Sequence, residues 1–142
     1  MINVEVKLVD WHSHRDQLLS VRQKVFVVEQ NVPVEEEIDD FDPVATHLLA
    51  VDRDGVAIGT ARVLPDGHIG RIAVLKEWRG QGIGRALTEA AVEYLKLQQF
   101  AEARLNSQVQ VIEFYEKLGF VSQGDVFYEC EIAHVAMSKK LS

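Results

Sequence analysis

A single cysteine, Cys130, stands among the 142 residues, so no internal disulfide can form, which agrees with a reducing compartment. No apolar run approaches the ~18 residues that a membrane-spanning helix requires. Cations are in the minority: 15 Lys and Arg face 22 Asp and Glu, a formal charge of -7. Nucleic-acid affinity comes largely from basic residues, so this balance argues against a nucleic-acid partner and leaves room for a cationic one. Met1-Ile2-Asn3-Val4-Glu5 shows no basic region and no signal-peptide core, and a cytoplasmic location is expected. Repeats, low-complexity tracts and linkers are also missing, so one domain over residues 1–142 is expected. The apolar fraction of 47% and charged fraction of 26% are those of an ordinary globular chain with a real core. The six carboxylates from Glu35 to Asp42 lack the ligand spacing and turn glycine of a calcium loop, and no metal is expected.

Glycine is concentrated instead. Arg79-Gly80-Gln81-Gly82-Ile83-Gly84-Arg85 follows a short apolar run, Ile69 to Leu75, that reads as a buried strand. After it, Ile83, Leu87, Ala90, Ala91, Tyr94 and Leu95 recur at helical spacing. Strand, glycine turn and helix together favour an anion. Glycines let backbone approach a ligand, and the first N–H groups of a helix lack intrahelical partners and carry partial positive charge. Arg79 and Arg85 add guanidinium groups suited to phosphate. The spacing Gly80-x-Gly82-x-Gly84 is neither a P-loop nor a dinucleotide fingerprint. The bland alternative is a connecting turn.

Val4 to Leu8 alternates as a first strand, and Ser13 is a candidate cap for a helix carrying Leu18, Leu19, Val25 and Phe26. The acidic stretch Val34 to Pro43 reads as a loop with a turn of helix. It is either a solvated face or, through Glu35, Glu36, Glu37, Asp39 and Asp40, a field attracting a cationic acceptor. Ala45–Asp52 and Val56–Leu64 form strands around Arg53-Asp54-Gly55, and Pro65-Asp66-Gly67 turns into the next strand. Beyond the long helix, Ala103–Asn106 is a strand parallel to the one before it. Ser107-x-x-Gln110 reads as a capping box for a helix ending at Gly119, and two strands close the chain, the last over Ile132–Met137.

Arg79-Gly-Gln-Gly82-Ile-Gly84, the preceding Ile72-Ala73-Val74 and Phe114-Tyr115-Glu-Lys-Leu-Gly119-Phe120 resemble the signature segments of the GCN5-related N-acetyltransferase (GNAT) family. Val25 to Pro33, Leu105-Asn-Ser-Gln108 and Ile132-Ala-His134 resemble its ElaA-like branch. The resemblance implies an α/β (α+β) fold: a central, mixed, mostly antiparallel twisted sheet of about seven strands flanked by about four helices. It implies acetyl transfer from acetyl-CoA to a primary amine of a small molecule or peptide by direct attack, releasing coenzyme A. Exposed strand edges of this fold often pair into homodimers.

On that resemblance, Ile72, Ala73 and Val74 hold the pantetheine arm. Arg79, Gly80, Gln81, Gly82, Ile83, Gly84 and Arg85 hold the pyrophosphate, and Gln108 stands where many members have a cofactor-contacting Asn. A Val74 N–H is placed to stabilise the thioester oxygen. Tyr115 is the candidate proton donor, two helical turns after Gln108; its alternative is a core tyrosine beside Phe114 and Leu118. His134 is the candidate base, or a hydrogen-bonded structural histidine. Glu29, His47, His68 and a water chain are its rivals. Cys130 sits between two glutamates that raise its pKa, against a nucleophilic role. Two rival functions remain: a non-catalytic acyl-CoA sensor, which loss of Tyr115 would favour, and an interaction module without cosubstrate, against which the glycine turn argues.

Overall fold

A computed structural model describes residues 3–142; Met1 and Ile2, where the amino-terminal stretch considered for a signal begins, lie outside the described residues. The strands are β1 (Glu5–Val9), β2 (Thr46–Val51), β3 (Ala57–Val63), β4 (His68–Val74), β5 (Glu102–Gln108), β6 (Val121–Glu129) and β7 (Ile132–Lys140). They form one sheet in the order β1-β2-β3-β4-β5-β7-β6. Every neighbouring pair is antiparallel except β4 and β5. That exception follows from the intervening helix, since a strand re-entering after a helical crossover runs parallel. Helices α1 (Trp11–Arg22), α2 (Val34–Glu37), α3 (Ile83–Leu97) and α4 (Ile112–Lys117) flank the sheet. The expected mixed seven-stranded sheet with four helices is what the chain forms. No described helix is long and apolar enough to cross a membrane.

The core lies around β3, all of whose residues are buried. On one face Gly59 admits α3 so closely that an added side-chain carbon would lie 3.0 Å from Leu87 Cδ1. Three residues along, on the other face, Arg62 enters a cluster of ionic side chains with α1 and α2. Leu18 and Val21 of α1 and Leu87, Ala91 and Leu95 of α3 complete the two apolar layers. Their spacing of three and four residues is what turns one stripe of each helix to the sheet.

The start of α1 differs from the sequence expectation. Asp10, not Ser13, is the cap, and its Oδ2 accepts from the Ser13 backbone N–H at 2.9 Å. Starting the helix earlier brings Trp11 inside it, where the indole is buried and stacks on His47, ring centroids 5.2 Å apart. At its other end the helix runs on through Val25 and Phe26, as the sequence suggests, but as a π-helical turn, Gln23–Glu29.

The acidic run is also different from six solvated charges. Arg22 is 1% exposed and donates to the Glu37 carboxylate, the Glu37 carbonyl and both Asp42 oxygens. Glu37 is 1% and Asp42 0% exposed. Arg62 bonds Asp42 at 2.9 Å and Asp39 at 2.7 Å, and Arg71 reaches Asp39 at 3.2 Å. Only Glu35, Glu36 and Asp40 keep exposed side chains. Burial alone would raise the pKa of Asp42, but its hydrogen bonds with Arg22 and Arg62 and the charge of Arg22 outweigh that and lower it. Asp39 is lowered against the same burial penalty by Arg62 and Arg71.

Because the folded-state values lie below the ordinary 3.8, these pairs contribute stability above that pH and lose it as the pH falls through the lowered values. Arg22→Met should leave two buried carboxylates short of their partner. The expected loss is about 3–5 kcal/mol, seen by circular dichroism as a fall of roughly 10 °C in Tm. A variant melting within about 3 °C of the parent would show that the cluster carries no net stability.

Candidate active site

Strands β4 and β5 pair at only two positions, His68 with Arg104 and Ile69 with Leu105. Beyond them β4 stays on β3 as far as Val74, and β5 stays on β7 as far as Gln108. The two arms therefore splay into a fork. The cause lies in β4, where the register with β3 slips between Ala73 and Gly70 and leaves Arg71 in a left-handed conformation, φ 48°. A bulge of this kind bends and twists its strand. Leu75 N–H donates to Ile58 O of β3, so strand alternation aims the N–H groups of Ile72 and Val74 into the fork. Backbone donors facing a gap are a ready edge for an extended chain bearing amides.

The glycine turn stands at the tip of the β4 arm. Gly80 and Gly82 have φ of 79° and 84°, which a side chain strongly disfavours. A side-chain carbon at either position would meet nothing within 4 Å, so the space above the turn is open. Gly82 begins α3 and has no side chain with which to cap it. The first N–H groups of a 15-residue helix thus face that space with the positive end of its dipole. Fork and turn open into one cleft of about 890 Å³.

Tyr115 and His134 line the same cleft. Tyr115 is 8% exposed, with its ring edge-on to Phe114 and Phe120, and burial pushes its pKa up to about 12. His134 is also 8% exposed and stacks on Phe127. Its Nδ1 lies 2.7 Å from the Ile132 carbonyl. A carbonyl can only accept, so Nδ1 carries the proton and Nε2 of the neutral ring holds the lone pair. Cys130, in the β6–β7 turn, donates its thiol to Glu36 Oε2 at 2.9 Å. That bond, burial and the Glu36 charge raise its pKa, so the thiolate is disfavoured.

The structure gathers Ile72, Ala73, Val74, Arg79, Gly80, Gly82, Ile83, Gly84, Arg85 and Gln108 around the cleft, whereas exposed Gln81 is not part of its lining. Arg79 is already engaged: Nε donates to the Val74 carbonyl at 2.9 Å and Nη2 to Glu29 Oε1 at 2.8 Å. Arg85 lies along α3, 3.5 Å from Glu89. Among the rival bases, His47 is buried in the cluster under Trp11 with Nε2 2.8 Å from the Asp42 carbonyl, and it does not line the cleft. Burial lowers its pKa. His68 lines the cleft and pairs with Asp66 at 2.9 Å.

The relation between Gln108 and Tyr115 is not two turns of one helix. Pairing with β7 extends β5 to Gln108, opposite His134, and α4 begins only at Ile112. Ser107 is no cap, since its hydroxyl donates to the Gln108 carbonyl. Gln30 was absent from the sequence-based site, yet it lines the cleft and bonds Gln108 at 3.0 Å. Arg71 was missed as well; only a left-handed backbone marks it, and no residue type announces that at an arginine.

A forked sheet with a glycine turn at the fork defines a class, the acyl-CoA N-acyltransferase fold. A solved acyl-CoA N-acyltransferase from Pseudomonas aeruginosa superposes with a TM-score of 0.85 at 31% identity, over 96% of this chain and 99% of its own. The family model described as the acetyltransferase (GNAT) domain matches residues 13–141, and the chain belongs to that family. Members transfer acyl groups from a coenzyme A thioester to amine acceptors. Among curated relatives, the uncharacterised N-acetyltransferase YjcF of Bacillus subtilis (strain 168) is 37% identical over 123 residues, 84% of this chain and 87% of YjcF. ElaA of Escherichia coli (strain K12) is 30% identical over 132 residues, 87% of this chain and 86% of ElaA. The ElaA crystal structure matches with a TM-score of 0.84 at 28% identity, over 96% of this chain and 99% of that one.

Gly84 allows a clean test of the anion turn. Its backbone is helical, and an added carbon would rest 3.7 Å from Phe114 Cζ, an ordinary contact. Gly82, with its positive φ, would confound a substitution with strain. Gly84→Asp is expected to keep the parent Tm, since an acid in a first helical turn is favourable. It should abolish the rise in Tm expected of the parent with coenzyme A, because it would set a carboxylate beside a diphosphate held at this turn. At a ligand concentration of 100 Kd that rise corresponds to about 2.7 kcal/mol. An undiminished rise in the variant would remove the turn from the binding site.

Proposed function

We propose that the protein is a single-domain, cytoplasmic, acetyl-CoA-dependent N-acetyltransferase that acetylates a primary amine on a small molecule or peptide by direct attack. The observation that carries this reading is the fork: Ile72 and Val74 aim backbone donors into a gap that ends at the open turn of Gly80 to Gly84. An acetyl-CoA molecule would supply an activated acyl group as a thioester. The edge of β4 would hold its amide-bearing arm, and the start of α3 its diphosphate. The Val74 N–H would stand as a fixed donor where negative charge develops on the acyl oxygen.

An alkylammonium of pKa ~10 must lose a proton before it attacks. His134 takes that proton at Nε2, the nitrogen left with a lone pair by the Ile132 carbonyl contact. Tyr115 holds its proton at the phenolic oxygen and offers it as a hydrogen bond to the departing sulfur. Full transfer from a phenol at about 12 to a thiolate whose conjugate acid has pKa ~8.5 is uphill by roughly 5 kcal/mol. Hydrogen bonding therefore carries the stabilisation, and the proton lost by the new ammonium completes the balance. Direct attack is supported by the raised pKa of Cys130, the cysteine on the cleft wall.

The reading is tested by following free thiol release from acetyl-CoA with polyamines, aminoglycosides, amino acids and peptide N-termini. Release with one of these classes is expected. Coenzyme A binding without release from any amine would favour the non-catalytic sensor. With an active acceptor, Tyr115→Phe should keep fold and coenzyme A affinity while kcat falls by ~10²-fold or more. Turnover within about threefold of the parent would assign Tyr115 to the core.

A further inference from the structure

Two consecutive side chains reach the two arms of the fork from one short segment. The π-helical turn closes with Gln30 N–H on the Val25 carbonyl at 3.1 Å, and Val32 N–H returns to Phe26 O at 2.9 Å. Asn31 between them is left-handed, φ 59°. This winding turns Glu29 and Gln30 to different partners. Glu29 Oε1 accepts from Arg79 Nη2 at 2.8 Å, and Arg79 Nε holds the Val74 carbonyl at the tip of the β4 arm. Gln30 Oε1 accepts from Gln108 Nε2 at 3.0 Å at the tip of the β5 arm, and Gln108 Oε1 accepts from Gln110 at 2.6 Å. Beyond Ile69 and Leu105 the arms share no strand pairing, and these adjacent side chains each bond one tip.

We propose that Glu29 and Gln30 form a brace across the fork, holding β4 through Arg79 and β5 through Gln108 at the separation an acyl-CoA arm requires. Both are positioning residues, and the assignment rests on the acyl-CoA reading above. It gives Arg79 a task other than phosphate binding, since two faces of its guanidinium are already committed to Val74 and Glu29. It also places Glu29 outside the proton transfer, with Oε1 occupied by Arg79. Binding sites lose affinity when their supporting residues let the geometry loosen by a fraction of an ångström. The brace should therefore be read in cosubstrate affinity and not in global stability, because half-exposed ion pairs add little to the latter.

Titration calorimetry of coenzyme A against the full chain tests this without requiring an acceptor. Glu29→Ala and Gln30→Ala are each expected to raise Kd about 10-fold while the unliganded Tm stays within about 2 °C of the parent. Glu29→Gln keeps an acceptor oxygen at the same reach and should bind within about threefold of the parent. Adding Glu29→Ala to Arg79→Ala should cause no further loss, because the partner has already gone. Unchanged affinity in both alanine variants overturns the brace, as do losses from Glu29→Ala and Arg79→Ala that multiply. So does a fall in Tm with affinity intact, or a Glu29→Gln variant as poor as Glu29→Ala. A parent that binds no coenzyme A overturns the acyl-CoA reading and the brace together.

Discussion

Strand β4 has to pair with β3 up to Val74, and β5 with β7 up to Gln108, while the bulge at Arg71 keeps the two from pairing with each other. The cleft, the placement of its donors and the route from sheet to glycine turn all depend on that divergence. A continuous parallel ladder would bury the Ile72 and Val74 donors in strand pairing and leave no edge. Unpaired backbone groups inside a protein require water or a ligand, so the fork is at once a local cost to folding and an opening for an extended molecule.

The ionic cluster lies behind the bulge. Arg62 sits opposite Gly70 in the strand register, and its guanidinium bonds Asp39 and Asp42. Arg71, the left-handed residue, donates to the Glu37 carbonyl at 3.1 Å and to Asp39. Thr60 satisfies one backbone group of the bulge, donating its hydroxyl to the Arg71 carbonyl at 3.0 Å. A buried pair contributes little relative to apolar packing, yet its geometry is demanding, and removing one partner strands the other. Here the demand falls on α2 and β4, and it keeps both at one edge of the cleft.

On the proposed mechanism, the chemistry around the cleft consists mainly of donors held in place. The Val74 N–H, the first turn of α3 and the Tyr115 hydroxyl are all neutral donors, and a phenol at about 12 keeps its proton throughout the working pH range. The ring of His134, oriented by the Ile132 carbonyl and by Phe127, brings the lone pair that these lack. Such a set is suited to charge that appears and disappears on a bound thioester without a bond to the protein.

Local patterning determined much of this protein. Period-two and period-3.6 stretches marked the strands and helices to within a few residues, and the three closely spaced glycines marked the turn at the start of α3, where Gly80 and Gly82 take the positive φ that only glycine adopts without strain. Family likeness around Arg79, Tyr115 and His134 extended that to a candidate acyltransferase site. The rest depended on partners distant in sequence. Ser107 had the residues of a capping box, but β7 drew the chain into strand as far as Gln108, because a full ladder outweighs one side-chain cap. The acidic run had the composition of a solvated loop, but Arg22, Arg62 and Arg71 took half of it inside. Arg79 had the charge of a phosphate ligand, but Glu29 and the Val74 carbonyl lay within its reach. Sequence periodicity reports what each segment can bury, whereas the partner of a charge or the far side of a strand is set only when segments remote in the chain come together.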